Sequence, residues 1–340
     1  MYRMKTKNHS ELQTFRKTNH LCGFSVVICC YNSGWIIGRT LEALKQQKVR
    51  ENLHWEIILV DNCCTDDTVQ VARRTMAGCG IDFVIVEESE PGLANARRKG
   101  VMTAKYGITV FCDDDNLLCD NYIDTMYNIM QSNARIGAAG GKGIPEFQVE
   151  PADIVKENIA CYATGSQIDH DVWLYGAGLV LRTNLLCDIY EKQHCYLVGR
   201  KGNQLLSGED SEIVMSMVMR GYKIFATDDV SFVHVLKAER LTEAYFYRLQ
   251  EGLVLPAPVF ETFRAVIDGR SFNVVLQKYY KSVKSILWSY LFFYKANSKE
   301  VRQWSKDCLK RYHFWGISTL WRIYKEWNDI KQSSQNVLSA

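Results

Sequence analysis

The sequence contains no Cys-x-x-Cys pair, no internal repeat and no low-complexity tract, and no apolar run in it is long enough to cross a bilayer. Its twelve cysteines fall as Cys29-Cys30, Cys63-Cys64 and scattered singles, which supports neither a disulfide framework nor a zinc site. The longest strongly apolar stretch late in the chain, Ile286 to Tyr294, lies between Lys284 and Lys295 and falls well short of the roughly 20 apolar residues that a spanning helix needs. The opening segment, "MYRMKTKNHSELQTFRKTNH", is polar and basic and lacks the apolar core of a secretory signal. These absences are read as a reducing, cytoplasmic setting.

With 47% hydrophobic and 23% charged residues, the 340-residue chain has the make-up of a soluble globular protein, which excludes wholesale disorder. Charge is unevenly spread. Between Lys278 and Lys331 twelve Lys/Arg face four Asp/Glu, a local +8 inside a chain whose net charge is +3.

From Phe24 to Phe111 apolar strand-like runs alternate with helical periodicity. Strands are expected at Phe24–Cys30, Glu56–Val60, Ile81–Val86 and Ile108–Phe111, with helices in "WIIGRTLEALKQQ", "TDDTVQVARRTM" and "GLANARRKGVMTAKY" between them. Strands joined in this way form a parallel sheet covered on both faces. Beyond residue 140, "GGKGIPEF" reads as a glycine-rich loop, a helix is expected from about Ser211 to a stop at Gly221, and a strand follows. From Ala238 onward the pattern is mostly helical, broken at Pro256 and Pro258.

Polar residues follow the last apolar residue of successive strands: Tyr31-Asn32, Asp61-Asn62 and Asp113-Asp114-Asp115. In an open α/β sheet those carboxyl ends form the ligand crevice. Three adjacent acids repel one another unless a cation is present, and a hard divalent ion such as Mg²⁺ or Mn²⁺ favours such oxygen ligands. Extended geometry would turn Asp113 and Asp115 to one side and Asp114 to the other, although the run also suits a helix start. Asp61 could accept hydrogen bonds from a base or ribose, or simply cap a turn. Arg97, early in its helix, is not placed to complement the helix dipole and suits a phosphate ligand, whereas Arg98 and Lys99 read as solvated. Glu209 and Asp210, at a loop-to-helix junction, fit either a cap or a general base. His234 fits a half-buried structural histidine or a ligand.

Taken together, "SVVICCYNSG", "ILVDNCCTDDT", "EPGLANARRKG", "VFCDDDN", "GAGLVLR", "SGEDSE" and "VSFVHVLKAERLT" resemble, in order and spacing over about residues 23–250, the family 2 glycosyltransferases of the GT-A fold. The resemblance implies a Rossmann-like, mostly parallel central sheet flanked by helices. The expected divisions are a flexible segment at 1–20, the transferase domain at 21–250, a helical basic and aromatic region at 251–331, and a frayed tail at 332–340. It further implies an inverting transferase that moves a sugar from a nucleotide-diphosphate sugar, usually a UDP-sugar, with a divalent metal at the Asp-x-Asp element.

By the same resemblance Tyr31 and Asp61 contact the base and ribose, Arg97 sits near the nucleotide, and Asp113 belongs to the ribose edge. Asn32, Asp114 and Glu209 are assigned to substrate or nucleotide binding, and Trp173 could bind substrate by stacking on a sugar face or merely close the core. Asp115 meets the metal, His234 approaches the metal or pyrophosphate, and Asp210 deprotonates the acceptor hydroxyl. The acceptor class it implies is a glycan or a lipid-linked molecule in surface polysaccharide or glycolipid synthesis. Cys63 and Cys64 stand where small or hydroxyl residues are usual, and Cys30 where proline or threonine is common.

Two rival functions differ in signature. A sugar nucleotidyltransferase would carry a glycine-rich phosphate loop with a basic residue after the first strand, where this chain has "CCYNSGW". A non-catalytic sugar-nucleotide-binding protein would not need both the Asp-x-Asp and Glu-Asp elements. In the basic tail, Lys278, Lys281, Lys284, Lys310, Arg311 and Arg322 lie among Trp288, Phe292, Phe293, Trp304, Phe314, Trp315, Trp321 and Trp327. Two readings stand for it: peripheral contact with an anionic membrane at the inner face of the cell membrane, or packing of the helices on the catalytic domain. No nucleic-acid-binding signature accompanies the tail, so nucleic acid is not an expected partner.

Overall fold

A computed structural model describes residues 20–192, 196–197, 199, 205, 207–292, 306 and 316–339. Strand β1 (Leu21–Cys30), helix α1 (Ile37–Lys45), β2 (Trp55–Asp61), α2 (Thr68–Met76), β3 (Asp82–Glu87), α3 (Leu93–Thr103) and β4 (Tyr106–Asp113) alternate as the periodicity predicts. There follow β5 (Asn116–Leu118), α4 (Tyr122–Ser132), β6 (Ile136–Phe147), a short α5 (Asp153–Glu157), β7 (Leu179–Arg182), α6 (Thr183–Glu191), α7 (Glu209–Met219) and β8 (Lys223–Leu236). Helices α8 (Glu243–Val254), α9 (Ala257–Ile267), α10 (Phe272–Phe292) and α11 (Ile317–Ser339) complete the described chain.

The eight strands form one sheet in the order β3-β2-β1-β4-β7-β6-β8-β5. The first four strands pair in parallel; β7 then runs antiparallel to both β4 and β6, and β5 antiparallel to β8. Alternation along β1 explains the two-faced core: Phe24, Val26 and Ile28 pack with α1, α2 and α4, while Val27 packs with α3, α6 and α7. Cys22, near the amino end of β1, is exposed.

Residues 140–147, expected as a loop, belong to β6, which pairs in parallel with β8 over most of its length. The glycines there permit close approach. A Cβ on Gly143 would lie 2.4 Å from the Ala163 carbonyl oxygen, and one on Gly141 2.8 Å from that of Val230.

The C-terminal helices pack on the outer side of α7. Met215 and Met219 meet Val259 and Phe263 of α9, Val275 and Tyr279 of α10, and Leu320, Ile323 and Trp327 of α11. Helix α7 is therefore enclosed between the sheet layer and this second helical layer, and the acidic first turn of an otherwise apolar helix is embedded with it. Trp327 is fully buried, whereas Trp288, Leu287, Leu291, Tyr280 and Trp321 are exposed. Phe293, Trp304, Lys310, Arg311, Phe314 and Trp315 lie outside the described residues.

Candidate active site

The strand register aligns the polar ends that the sequence places after each apolar run. Cys30 is level with Asp61, Cys29 with Asp113, and Asp61 with Glu87, so the groups share one edge of the sheet.

On the β1–β2 side Tyr31 is 61% exposed. Asn32, in the left-handed region with φ 54°, accepts the Thr65 amide at 2.8 Å and thereby ties the two loops together. The Asp61 carboxylate accepts the Cys64 amide at 2.9 Å. Cys64 takes over work that a hydroxyl would do, at longer range: its sulfur accepts the Asn32 amide at 3.3 Å and donates to the Cys30 carbonyl at 3.4 Å. Burial pushes the Cys64 thiol up to about 11, which keeps it protonated as a donor. The buried Asn62 holds the facing loop, donating to the Glu88 and Glu90 carbonyls and accepting the Gly92 amide at 2.8 Å.

The acidic run separates into three environments. Strand β4 ends at Asp113, so the alternation of a strand does not carry through to Asp115. Asp113 faces Arg97 Nη2 at 3.4 Å. The Asp114 carboxylate accepts the Ser33 hydroxyl, and its carbonyl accepts the Thr40 hydroxyl at 2.6 Å. Burial and the neighbouring Asp115 raise the Asp114 carboxyl, with Ser33 and Arg240 opposing the rise. Asp115 is buried and splits its oxygens: Oδ1 lies 3.5 Å from His234 Nε2, and Oδ2 accepts Arg240 Nη1 at 2.9 Å.

The short strand β5 makes this meeting possible. It pairs with the end of β8 so that Asn116 is level with His234. His234 Nδ1 lies 2.7 Å from the Tyr162 carbonyl, which can only accept, so Nδ1 carries a proton and Nε2 is the nitrogen that faces Asp115.

Arg97 is buried on the face of Phe111, its guanidinium carbon 4.8 Å from the ring centre. Burial alone would lower its affinity for a proton, but Glu209, Asp113 and Asp210 outweigh that and hold it above its ordinary value. Glu209, also buried, is pushed up to about 7 by burial, with Asp210 and Asp113 adding to the rise and Arg97 opposing it. Asp210 accepts the Ser211 amide at 2.8 Å in the first turn of α7, which starts at Glu209, two residues before the expected Ser211. Gly176 sits between the two groups: a Cβ there would fall 2.4 Å from Asp210 Oδ2 and 2.7 Å from Arg97 Nη2. Trp173, three residues earlier, stacks on His170 with ring centres 3.7 Å apart and packs against the C-terminal helical core.

Asp115 Oδ1 and His234 Nε2 lie 3.5 Å apart, one oxygen and one nitrogen that would suit a divalent cation whose remaining positions are filled by ligand oxygens. Among the described residues no cluster of three or more His, Cys, Asp or Glu could hold an ion by itself. Arg240, Ser33 and Gly176 join the site without having been singled out from sequence. Only Arg240 carried a usable signal, a basic residue shortly after the strand that contains His234.

The fold is GT-A. It aligns with the mannosyltransferase PcManGT from Pyrobaculum calidifontis, solved with GDP-Man and Mn2+, at a TM-score of 0.52 and 17% identity over 92% of each chain. Residues 25–167 match the family described as Glycosyl transferase family 2, and this part of the chain is a family 2 glycosyltransferase domain. Among curated proteins, the chain is 31% identical over 107 residues to glycosyltransferase GlyG of Streptococcus pneumoniae, covering 32% of this chain and 35% of that protein. It is 21% identical over 255 residues to the poly(ribitol-phosphate) beta-N-acetylglucosaminyltransferase TarS of Staphylococcus aureus, covering 72% and 39%. The chain thus spans between a third and two fifths of the length of these two relatives.

Proposed function

We propose that this glycosyltransferase moves a sugar from a nucleotide-diphosphate sugar, UDP-linked in the first instance, to a hydroxyl of a glycan or lipid-linked acceptor, with inversion at the anomeric carbon. The observation that carries the reading is the seating of a carboxylate, Asp210, and a buried cation, Arg97, on either side of Gly176 at the ligand edge of the sheet. The name of the Staphylococcus relative, a transferase acting on poly(ribitol-phosphate), supports a polymer hydroxyl as acceptor and surface glycan synthesis as the setting.

In this reading Asp61 and Tyr31 flank the nucleoside, and Asp113 lies at its ribose edge. Asp210 takes the proton of the acceptor hydroxyl as that oxygen attacks the anomeric carbon from the face opposite the diphosphate, so one displacement inverts the centre. Arg97 stabilises the negative charge that gathers on the leaving diphosphate, in a buried setting where a fixed charge acts strongly. Asp115 and His234 would hold a divalent cation, Mn²⁺ or Mg²⁺, which supplies Lewis-acid stabilisation of the same leaving group. Glu209 keeps Arg97 and Asp210 in a common electrostatic frame, and Trp173 borders the acceptor side.

Among the described residues no helix is long and apolar enough to cross a membrane. The exposed face of α10, carrying Tyr280, Lys281, Lys284, Leu287, Trp288 and Leu291 at helical spacing, supports peripheral contact with an anionic surface that would present a lipid-linked acceptor.

The test is a panel of nucleotide sugars assayed for metal-dependent release of the nucleoside diphosphate, with Asp210→Ala and Asp115→Ala beside the parent. Asp210→Ala should lose about 10²- to 10⁴-fold in turnover while still binding nucleotide. Undiminished turnover in that variant would sink the base assignment, and nucleotide binding with no turnover in the parent would favour a binding protein.

A further inference from the structure

Arg240 sits in the short 3-10 turn Ala238–Leu241, directly after β8. The turn is well anchored: the Arg240 carbonyl accepts the Tyr162 hydroxyl at 3.0 Å, the Leu241 carbonyl accepts the Ala152 amide at 3.0 Å, and the Leu241 side chain is buried. From this fixed base the guanidinium reaches Asp115, 125 residues away in sequence, at 2.9 Å. Its side chain as a whole remains 25% exposed.

Asp115 therefore stands between two kinds of partner. One oxygen lies 3.5 Å from His234 Nε2 and accepts the Asn116 side-chain amide at 3.2 Å, while the other is held by a permanent cation. Tyr245, Asp114 and Asp113 also act on Arg240, so it is a second cation at the acidic run, beside the Arg97 that faces Asp113. A guanidinium has five N–H donors in a planar fork, and a single bond to Asp115 Oδ2 leaves donors that match phosphate oxygens.

We infer that Arg240 is a resident cation of the diphosphate site: it neutralises Asp115 before ligand arrives, competes with the divalent ion for that carboxylate, and then contacts the diphosphate alongside the ion. The inference rests on the donor site proposed above and adds a residue and a charge balance to it. The competition arises because a guanidinium on Oδ2 withdraws the carboxylate's charge from an incoming metal and repels it, whereas a diphosphate supplies negative charge enough to hold both cations. Arg240 accordingly opposes binding of the metal alone and favours binding of the nucleotide with its metal.

The experiment uses the full chain and two probes, Mn²⁺ alone followed by electron paramagnetic resonance, and UDP or GDP with saturating Mn²⁺ followed by calorimetry. Arg240→Ala should bind Mn²⁺ alone about 3- to 10-fold more tightly and the nucleoside diphosphate about 10- to 100-fold more weakly. Arg240→Lys, which keeps the charge and loses the fork, should return Mn²⁺ affinity to the parent value and recover part of the nucleotide affinity. Should the alanine variant fail to fold, Arg240→Gln, neutral and similar in length, carries the same two predictions. Unchanged affinity for both probes, or weaker binding of Mn²⁺ alone, would overturn the inference by reducing Arg240 to a structural partner of Asp115. Failure of the parent itself to bind either nucleotide would instead count against the donor site as a whole.

Discussion

Gly176 joins the two groups on which the proposed chemistry depends. Any side chain there must displace either the Asp210 carboxylate or the Arg97 guanidinium, since a Cβ would lie within 2.7 Å of both. Gly176→Ala should therefore cut kcat by about 10²-fold, the cost of an ångström-scale misplacement at a reacting centre, with a much smaller change in thermal midpoint. Steady-state kinetics beside a melting curve checks this, and an unchanged kcat would show that the contact relaxes freely. In the sequence Gly176 is one glycine in "YGAGLVLR", with nothing local to mark it, because its neighbours come from α3 and α7. The acids were more legible. Asp61, Asp113 and Asp210 follow apolar runs or open a helix, positions that a strand-then-helix reading locates without tertiary knowledge. What adjacency in sequence concealed was their division: Asp113 goes with Arg97, Asp114 with Ser33, and Asp115 with His234 and Arg240.

Helix α7 shows how an element can be recognised from its pattern and still be misjudged at its end. Its apolar stretch was evident, but Glu212 reads as an ordinary acid in a first turn. In the fold Glu212 is buried and accepts the Tyr196 amide at 2.7 Å and the Leu197 amide at 2.8 Å, so the helix grips the segment that precedes it. Tyr196 in turn donates to Glu326 of α11. Burial pushes Glu212 up to about 8, against the two amides. The folded state then holds a proton that the unfolded state has released, so stability is full below the unfolded value near 4.5 and falls as pH rises toward 8. The slope amounts to at most about 1.4 kcal/mol per pH unit. Glu212→Gln should flatten the decline between pH 5 and 8 relative to the parent, as followed by denaturant unfolding, and parallel curves for the two proteins would refute the assignment. Strands β5 and β6 were missed for local reasons. Three residues are too few for a periodic signal, and glycines that permit close approach look the same in sequence as glycines that turn a loop.

For the molecule as a whole, the parallel half of the sheet was readable because each strand announces itself, while the reversal at β7 and the return of β8 beside β5 depend on long-range pairing. The basic aromatic tail divides in the fold. Trp327, Leu320 and Ile323 pack against α7 and α9, which is the packing alternative, while one face of α10 leaves Tyr280, Leu287, Trp288 and Leu291 in the open beside Lys281 and Lys284. Removing the tail would strip the outer cover from α7, so substitution is the sharper test of membrane contact. The parent should float with anionic vesicles and release with salt, whereas Trp288→Glu with Leu291→Glu should lose about tenfold or more in partitioning, given that burying each such side chain is worth about 1.5–3 kcal/mol. Equal flotation of both proteins would remove the idea.

Cys22 gives the fold a practical handle. It is the exposed cysteine among those described, and it lies near the amino end of β1, while the ligand groups gather at the carboxyl end of that strand and its neighbours. Cys30, Cys64 and Cys112, nearer the crevice, are held protonated by burial and react poorly with thiol reagents. Among the described cysteines, Cys22 is thus the one most open to a maleimide dye or a surface linker, at the end of β1 opposite the polar groups.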